Sequence, residues 1–266
     1  MHLKRWITAL CALPFLLVLV RYGGTWAFAL FVVIIALLGL REYYAMVLTG
    51  GQKILEGAGL ASGCLLLVGS CLYGLEAVSG ITAVCFIGIC TLCLFSLKKG
   101  DTASDILTRT VCGVIYIPFL LSHLILLRNQ ADGSVWIFFV LFVVFALDTC
   151  AYYAGTYAGR HKLYPRISPN KTWEGAAGGL AGALSVGLFF KVFFLRDVAW
   201  THLILLTFCV AISGQIGDLV ESMIKRSVNV KDSGRLLPGH GGILDRIDSL
   251  LFASPIVYYY KIWIIR

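Results

Sequence analysis

Residues 231–249, KDSGRLLPGHGGILDRIDS, concentrate charge, glycine and one histidine in an otherwise apolar chain. Asp245 and Asp248 are three positions apart, so a helix would present both carboxylates on one face. Asp218 lies near the end of the preceding apolar segment. Carboxylate oxygens together with substrate phosphates are the ligands that Mg²⁺ prefers in proteins. We therefore predict a metal pocket formed by Asp218, Asp245 and Asp248.

Basic side chains surround these carboxylates in the sequence and could neutralise phosphate groups: Lys225, Arg226, Lys231 and Arg235. His240 is flanked by glycines, which allow the backbone to approach a ligand closely. No G-K-[S/T] sequence is present here, so the stretch is not a P-loop. For any single basic residue, a solvated loop with internal ion pairs is the simpler interpretation. Two acidic helix ends, a basic loop and a glycine-flanked histidine together indicate phosphate chemistry.

Asp148 lies inside the apolar run VLFVVFALDTCAYYAG. A carboxylate within a membrane helix is costly and normally faces the bundle interior or a wet cavity. A bond to a neighbouring helix would explain it structurally, but we favour a functional role because intramembrane ionisable residues usually have one.

The segment ISPNKTWEG, residues 167–175, offers a second candidate anion site. Ser168 followed by Pro169 is typical of a helix N-cap and first helical position, which would place Lys171 in the first turn. The free N–H groups of a helix N-terminus can bind a phosphate. A well-capped helix with a snorkelling lysine explains the same residues equally well.

The composition indicates an integral membrane protein. Of the 266 residues, 59% are hydrophobic and 14% are charged, and the mean hydropathy is +0.87. A soluble domain has about 25% charged residues. The 22 lysines and arginines are spread over short loops, so the net charge of +8 does not indicate nucleic-acid binding.

Apolar runs of about 20 residues predict membrane helices. We predict an all-α, polytopic membrane protein with about nine transmembrane helices and one domain, 1–266, in which 1–130 supply N-terminal helices and 131–266 carry the site. The predicted spans are 6–20, 24–48, 54–73, 78–97, 106–127, 134–158, 169–194, 199–223 and 244–264. Within the seventh, the small residues from Gly175 to Ala183 predict close helix packing.

The charge distribution predicts the orientation. With a cytoplasmic N-terminus, 16 lysines and arginines fall on the cytoplasmic side and 6 on the other. Cytoplasmic loops of membrane proteins are enriched in these residues. We therefore expect both polar loops, 159–175 and 224–245, in the cytoplasm.

The spacing of the polar residues also carries a resemblance to a known family. Ser222-Met-Ile-Lys225-Arg226, then Lys231-Asp-Ser-Gly234, then Leu237-Pro-Gly-His240-Gly-Gly-Ile-Leu-Asp245-Arg246-Ile-Asp248 resembles, without departure, the signature of the phosphatidate cytidylyltransferases, or CDP-diacylglycerol synthases. The segments from Asp148 to Gly159 and from Ser168 to Gly175 also resemble this family, whereas the N-terminal half is similar only in having several membrane helices.

The resemblance implies transfer of a cytidylyl group from CTP to phosphatidate, with Mg²⁺, and leaves a second cation open. It further implies a homodimer in a bacterial inner membrane, with the active site on the cytoplasmic side. Carried over to this chain, it implies catalytic Lys225, Lys231, His240, Asp245 and Asp248, metal ligands Asp218, Asp245 and Asp248, and substrate or phosphate contacts from Ser222, Arg226, Arg235, Arg246, Ser168, Lys171 and Asp148.

Two alternatives remain at this point. A CTP-dependent polyprenol or phytol kinase would share acidic and basic loops but lack the full signature over 222–248. An ion-coupled transporter would use Asp148 and Asp218 as intramembrane sites. Such transporters often have inverted repeats and paired broken helices, and neither is recognisable in this sequence.

Overall fold

The computed structural model describes residues 14–48, 51–96, 102–234, 236 and 241–265. They are mostly helical. In chain order the elements are α1 (helical residues 14–22), α2 (Gly24–Val47), α3 (Lys53–Ser96), α4 (Ala103–Val114), a π-helical turn (Ile115–Phe119), α5 (Leu120–Arg128), α6 (Gly133–Ala158), β1 (Lys162–Tyr164), β2 (Ser168–Thr172), α7 (Trp173–Phe193), α8 (Trp200–Ser227), α9 (Leu244–Tyr260) and a final π-helical turn (Lys261–Ile265).

The chain forms two compact units. The first comprises residues 1–129 together with 232–246, and the second comprises 130–231 together with 247–266. The polar stretch near the C-terminus is therefore divided between them, and each unit is described by itself below.

Within the described residues, six helices are long and apolar enough to cross a membrane, which is the pattern of a multi-pass membrane protein. They are Gly24–Val47, Lys53–Ser96, Ala103–Arg128, Gly133–Ala158, Trp173–Phe193 and Trp200–Ser227. The π-helical turn contains Pro118, which cannot donate a backbone hydrogen bond.

Helix α3 accounts for two of the predicted spans, 54–73 and 78–97. Its 44 residues would measure about 66 Å if straight, roughly twice the hydrocarbon thickness of a bilayer. Gly74 interrupts it with φ 74° and ψ −157°, a conformation that glycine adopts without a steric penalty. The Ile81 side chain packs where a Cβ of Gly69 would lie. The two halves therefore fold back on each other at Gly74.

The first and last predicted spans differ from the rest. Most of the span 6–20 lies outside the described residues, and only 14–20 are seen to be helical. The span 244–264 corresponds to α9, whose 17 residues measure about 25 Å, short of the hydrocarbon thickness of about 30 Å. The total of about nine spans stays a prediction.

Tight packing fixes the end of α2 in the first unit. The Tyr44 ring fills the space that side chains at Gly59 and Gly113 would occupy. Its hydroxyl donates a hydrogen bond of 2.7 Å to the Thr110 carbonyl oxygen. Tyr44 is 1% exposed. Its contacts hold the C-terminal end of α2, which also carries Glu42, against α3 and α4.

In the second unit, α6 and α7 pack through small residues, as predicted for the stretch from Gly175 to Ala183. Gly178 lies against Ala154, and Gly182 lies against Cys150. A Cβ at Gly179 would stand 2.8 Å from the Leu147 carbonyl oxygen. Because α7 has no side chain at these three positions, its backbone comes into direct contact with α6.

The polar loop between α6 and α7 corrects one prediction. Ser168 and Pro169 do not begin a helix; they lie in β2, which pairs antiparallel with β1 in the register Lys162 to Thr172 and Tyr164 to Ser168. A small two-stranded sheet is thus added to a fold predicted to be all-α. Helix α7 begins at Trp173, and the Thr172 hydroxyl accepts a 3.0 Å hydrogen bond from Gly175 N. The segment that we predicted to be the first helical turn is therefore a strand. Its pairing with β1 and the Thr172 cap engage backbone groups that would otherwise lack partners.

Substitution of Gly179 by alanine should weaken the α6–α7 contact, because the added Cβ meets a backbone oxygen that cannot rotate away. We expect Gly179→Ala to lower stability by about 1–3 kcal/mol, seen as a reduced melting temperature in detergent. Gly88→Ala is the matched control, since a Cβ there has no neighbour within 4 Å. An equal melting temperature for both variants would contradict the proposed packing role.

Candidate functional site

Three carboxylates converge in the second unit. Asp218 and Glu221 lie on one face of α8, and Asp248 lies near the start of α9. One carboxylate oxygen from each residue lies within 4.8 Å of the others. Glu221 is only 1% exposed. Nearby cations stabilise this concentration of negative charge.

Glycines in α8 explain how α9 approaches so closely. A Cβ at Gly217 would stand 2.6 Å from the Asp248 carbonyl oxygen, and one at Gly214 would stand 3.6 Å from the Cβ of Ser249. The absence of a side chain at Gly217 lets the α9 backbone lie directly against α8. The Asp248 carboxylate is thereby brought beside the α8 carboxylates and also accepts a 2.7 Å hydrogen bond from Ser249 N.

Two lysines offset this charge. Lys171 Nζ lies 2.8 Å from Asp218 Oδ2, and Lys225 Nζ forms an ion pair with Glu221 Oε2 one helical turn away. Three carboxylates against two ammonium groups leave one net negative charge when all are ionised. The cluster therefore favours a further cation.

The β-hairpin is what delivers Lys171. Arg226, at the end of α8, donates from Nε to the Ile167 carbonyl oxygen at 3.4 Å and from a terminal nitrogen to the Val230 carbonyl oxygen at 3.1 Å. The bond to Ile167, between the two strands, holds the hairpin against the end of α8. Lys171 is thus a strand residue paired with a carboxylate, and the predicted position in the first turn of a helix is wrong.

The donor set fits Mg²⁺. Mg²⁺ takes oxygen ligands at about 2.0–2.1 Å, so two ligand oxygens on one ion are at most about 4.2 Å apart. The observed 4.8 Å spread exceeds this by a few tenths of an ångström, a distance that small side-chain rotations cover. Asp218, Glu221 and Asp248 are the residues that would hold the ion.

Asp148 lies close to the same cluster. Its Oδ1 accepts a hydrogen bond of 3.4 Å from the hydroxyl of Ser249, the residue that follows Asp248. The structure places other predicted site residues as follows: Ser222 and Lys225 on α8, Ser168 on β2, Lys231 exposed after α8, and Arg246 exposed on α9. His240 and Arg235 lie outside the described residues.

Asp245 belongs to the first unit, where backbone amides hold its carboxylate. Gly242 N donates to Oδ2 at 2.8 Å, and Ser233 N donates to the same oxygen at 3.1 Å. Gly241 has φ 82°, which only glycine adopts readily, and a Cβ there would stand 2.6 Å from Oδ2. The role of Asp245 as a metal ligand stays a prediction.

Two acidic residues were missing from the predicted site. Glu221 was recognisable from its three-residue spacing to Asp218 on the polar face of α8, but the metal set did not include it. Glu42, in α2, accepts hydrogen bonds from Ser233 and Leu244. Its sequence signal was a carboxylate within an apolar helix, the same signal that singled out Asp148.

Comparison with known proteins identifies the family. The family model described as the cytidylyltransferase family matches residues 3–263. The chain belongs to the cytidylyltransferase family. A relative from Staphylococcus haemolyticus, named phosphatidate cytidylyltransferase, is 37% identical over 262 residues, which cover 95% of this chain and 96% of the relative.

Other cytidylyltransferases with the same name are similar over shorter stretches. One from Bacillus subtilis is 39% identical over 185 residues, which cover 69% of each chain. One from Brucella suis is 44% identical over 149 residues, which cover 56% of this chain and 55% of the relative. The resemblance predicted from the signature over 222–248 is confirmed, and this favours a nucleotidyltransferase over a kinase or a transporter.

Metal binding tests the composition of the carboxylate cluster. We expect Glu221→Gln to weaken Mn²⁺ binding, followed by electron paramagnetic resonance, at least about tenfold, since one of three charged ligands is lost. Asp218→Asn should have a similar effect. Glu56→Gln, at a half-buried glutamate of α3, serves as the control. Unchanged Mn²⁺ affinity in folded Glu221→Gln would remove Glu221 from the metal site.

Proposed function

We propose that this protein transfers the cytidylyl group of CTP to phosphatidate, giving CDP-diacylglycerol and pyrophosphate. The family and the names of its relatives support the reaction. The observation that carries the proposal is the cluster of Asp218, Glu221 and Asp248 with Lys171 and Lys225. Such an arrangement suits a nucleotide triphosphate bound with a divalent ion.

In the reaction, a phosphate oxygen of phosphatidate forms a bond to the α-phosphorus of CTP. The bond from that phosphorus to the oxygen bridging to the β-phosphate breaks, and pyrophosphate leaves. The attacking oxygen is already ionised at neutral pH and needs little help from a general base. The main obstacle is the repulsion between two highly charged phosphates, so positioning and charge stabilisation supply most of the catalysis.

Mg²⁺, when bound, would polarise the α-phosphate and stabilise the charge of the leaving pyrophosphate. Asp218, Glu221 and Asp248 would hold the ion, with Asp245 retained as a predicted ligand. Lys171 and Lys225, which form ion pairs with Asp218 and Glu221, would direct their ammonium groups to phosphate oxygens of the substrates.

The remaining predicted residues are proposed to contact the substrates, the basic ones at the phosphates. In the polar loops these are Lys231, Arg235, His240 and Arg246, and nearer the helices they are Ser168, Ser222, Arg226 and Asp148. Phosphatidate keeps its acyl chains in the leaflet and presents its head group at the membrane surface. We therefore propose that the site lies at the membrane surface. We further propose that this is the cytoplasmic surface of a bacterial inner membrane, and that the protein acts as a homodimer.

The direct test uses the purified protein in detergent with CTP, phosphatidate and Mg²⁺. We expect CDP-diacylglycerol and pyrophosphate to form in equal amounts, with no product when the divalent ion is chelated. Diacylglycerol in place of phosphatidate is the substrate control, since it lacks the attacking phosphate. Absence of product from a folded preparation would refute the proposed reaction.

Asp245→Asn tests the second acidic position of the signature. We expect turnover to fall close to zero with the protein still folded, because the amide removes the negative charge that Gly242 N and Ser233 N now bind. Turnover and the melting temperature are compared with those of Asp197→Asn, a change at an exposed aspartate between α7 and α8. Substantial retained activity would refute a catalytic or metal-binding role for Asp245.

A further inference from the structure

Glu42 connects α2 to residues about two hundred positions later in the chain. Its Oε2 accepts a hydrogen bond of 3.2 Å from the Ser233 hydroxyl and one of 3.0 Å from Leu244 N. The residue is 8% exposed. All three residues belong to the first compact unit.

Glycines leave room for this carboxylate. The space for a Cβ at Gly234 is taken by the Glu42 carboxylate, and the space at Gly242 is taken by Glu42 Oε2 and the Ser233 hydroxyl. Any larger side chain at either position would displace Glu42. The polypeptide around residues 233–234 and 242–244 is therefore fitted closely to this one side chain.

Because Glu42 is buried, its carboxylate depends on these hydrogen bonds for stability. A carboxylate removed from water is tolerated only when charged or polar partners replace its hydration. Leu244 is the first residue of α9, and its N–H is one of those that an α-helix leaves without an internal partner. The N-terminal end of a helix also attracts negative charge. The Glu42 carboxylate therefore accepts a hydrogen bond from an N–H group at the start of α9 that the helix itself leaves without a partner.

Ser233 extends the connection to Asp245. The Ser233 hydroxyl donates to Glu42 and accepts from Asp245 N at 3.3 Å, using its one donor and one of its acceptor sites. Ser233 N donates to Asp245 Oδ2 at 3.1 Å. The position of Asp245 therefore depends on Ser233 and on the helix start, and Glu42 holds both.

We propose that Glu42 is a positioning residue of the active site, which acts through Ser233 and Leu244 to hold Asp245 in the orientation used for cytidylyl transfer. The inference rests on the proposed function for the role of Asp245. It gives a specific task to a residue of α2, a helix to which the sequence analysis assigned no site residue.

The test compares Glu42→Ala, Glu42→Gln, Ser233→Ala and the double variant Glu42→Ala/Ser233→Ala. Glu76→Gln is the matched control, at an exposed glutamate of α3. Two quantities are measured: kcat in the presence of CTP, phosphatidate and Mg²⁺, and hydrogen–deuterium exchange of peptides covering 241–246 and, separately, α6 to α8.

Loss of a group that orients a ligand residue typically costs about 10–100-fold in activity. We expect kcat to fall about 100-fold in Glu42→Ala and about tenfold in Glu42→Gln, whose side-chain oxygen can still accept both hydrogen bonds more weakly. Exchange should increase in 241–246 and stay unchanged in α6 to α8. Because the two residues act in series, the double variant should be no worse than Glu42→Ala.

A folded Glu42→Ala protein with kcat within about twofold of the wild type would overturn the proposal. So would additive losses in the double variant, or exchange that rises equally in α6 to α8, since both indicate general destabilisation. If Glu42→Ala does not fold, Glu42→Gln and Ser233→Ala decide, and normal kcat in both overturns it. An inactive wild-type protein would instead count against the proposed reaction, while the exchange data would still test the contact itself.

Discussion

Repulsion among three carboxylates is the constraint on which the candidate site depends. Asp218, Glu221 and Asp248 bring negative oxygens within 4.8 Å of one another, with Glu221 buried and the two aspartates partly exposed. Ion pairs with Lys171 and Lys225 offset part of this charge, and one net negative charge remains when all five groups are ionised. Cations close by stabilise a site of this kind, and an enzyme that brings two phosphate compounds together also needs cations to offset their charge.

Glycine is the means by which the fold achieves these close approaches. Gly217 lets α9 touch α8 and so places Asp248, whereas Gly179 lets α7 touch α6 and so places the hairpin that carries Lys171. Gly234 leaves space for Glu42 in the first unit. In an apolar membrane environment, where exclusion of water drives little association between helices, such direct backbone contact is a principal source of packing energy.

The sequence predicted most of the helices because apolar runs of membrane length are a strong signal. It located Asp218 and Asp248 because charged residues next to such runs are conspicuous. It placed Ser168 and Lys171 incorrectly, since Ser-Pro favours a helix start locally and only the pairing of β2 with β1 shows that the segment is extended. It omitted Glu221 and Glu42 because their importance depends on partners from other elements.

The sequence by itself determined the membrane character of the protein, the predicted reaction and the polar segments that take part in it. Hydropathy and the fixed gaps of the signature over 222–248 are properties of the linear chain. Only the tertiary structure decided which carboxylates meet, that Lys171 pairs with Asp218, and that Glu42 binds the start of α9. These contacts join residues between about 30 and 200 positions apart, and their distances depend on how closely helices pack, which periodicity and spacing do not specify.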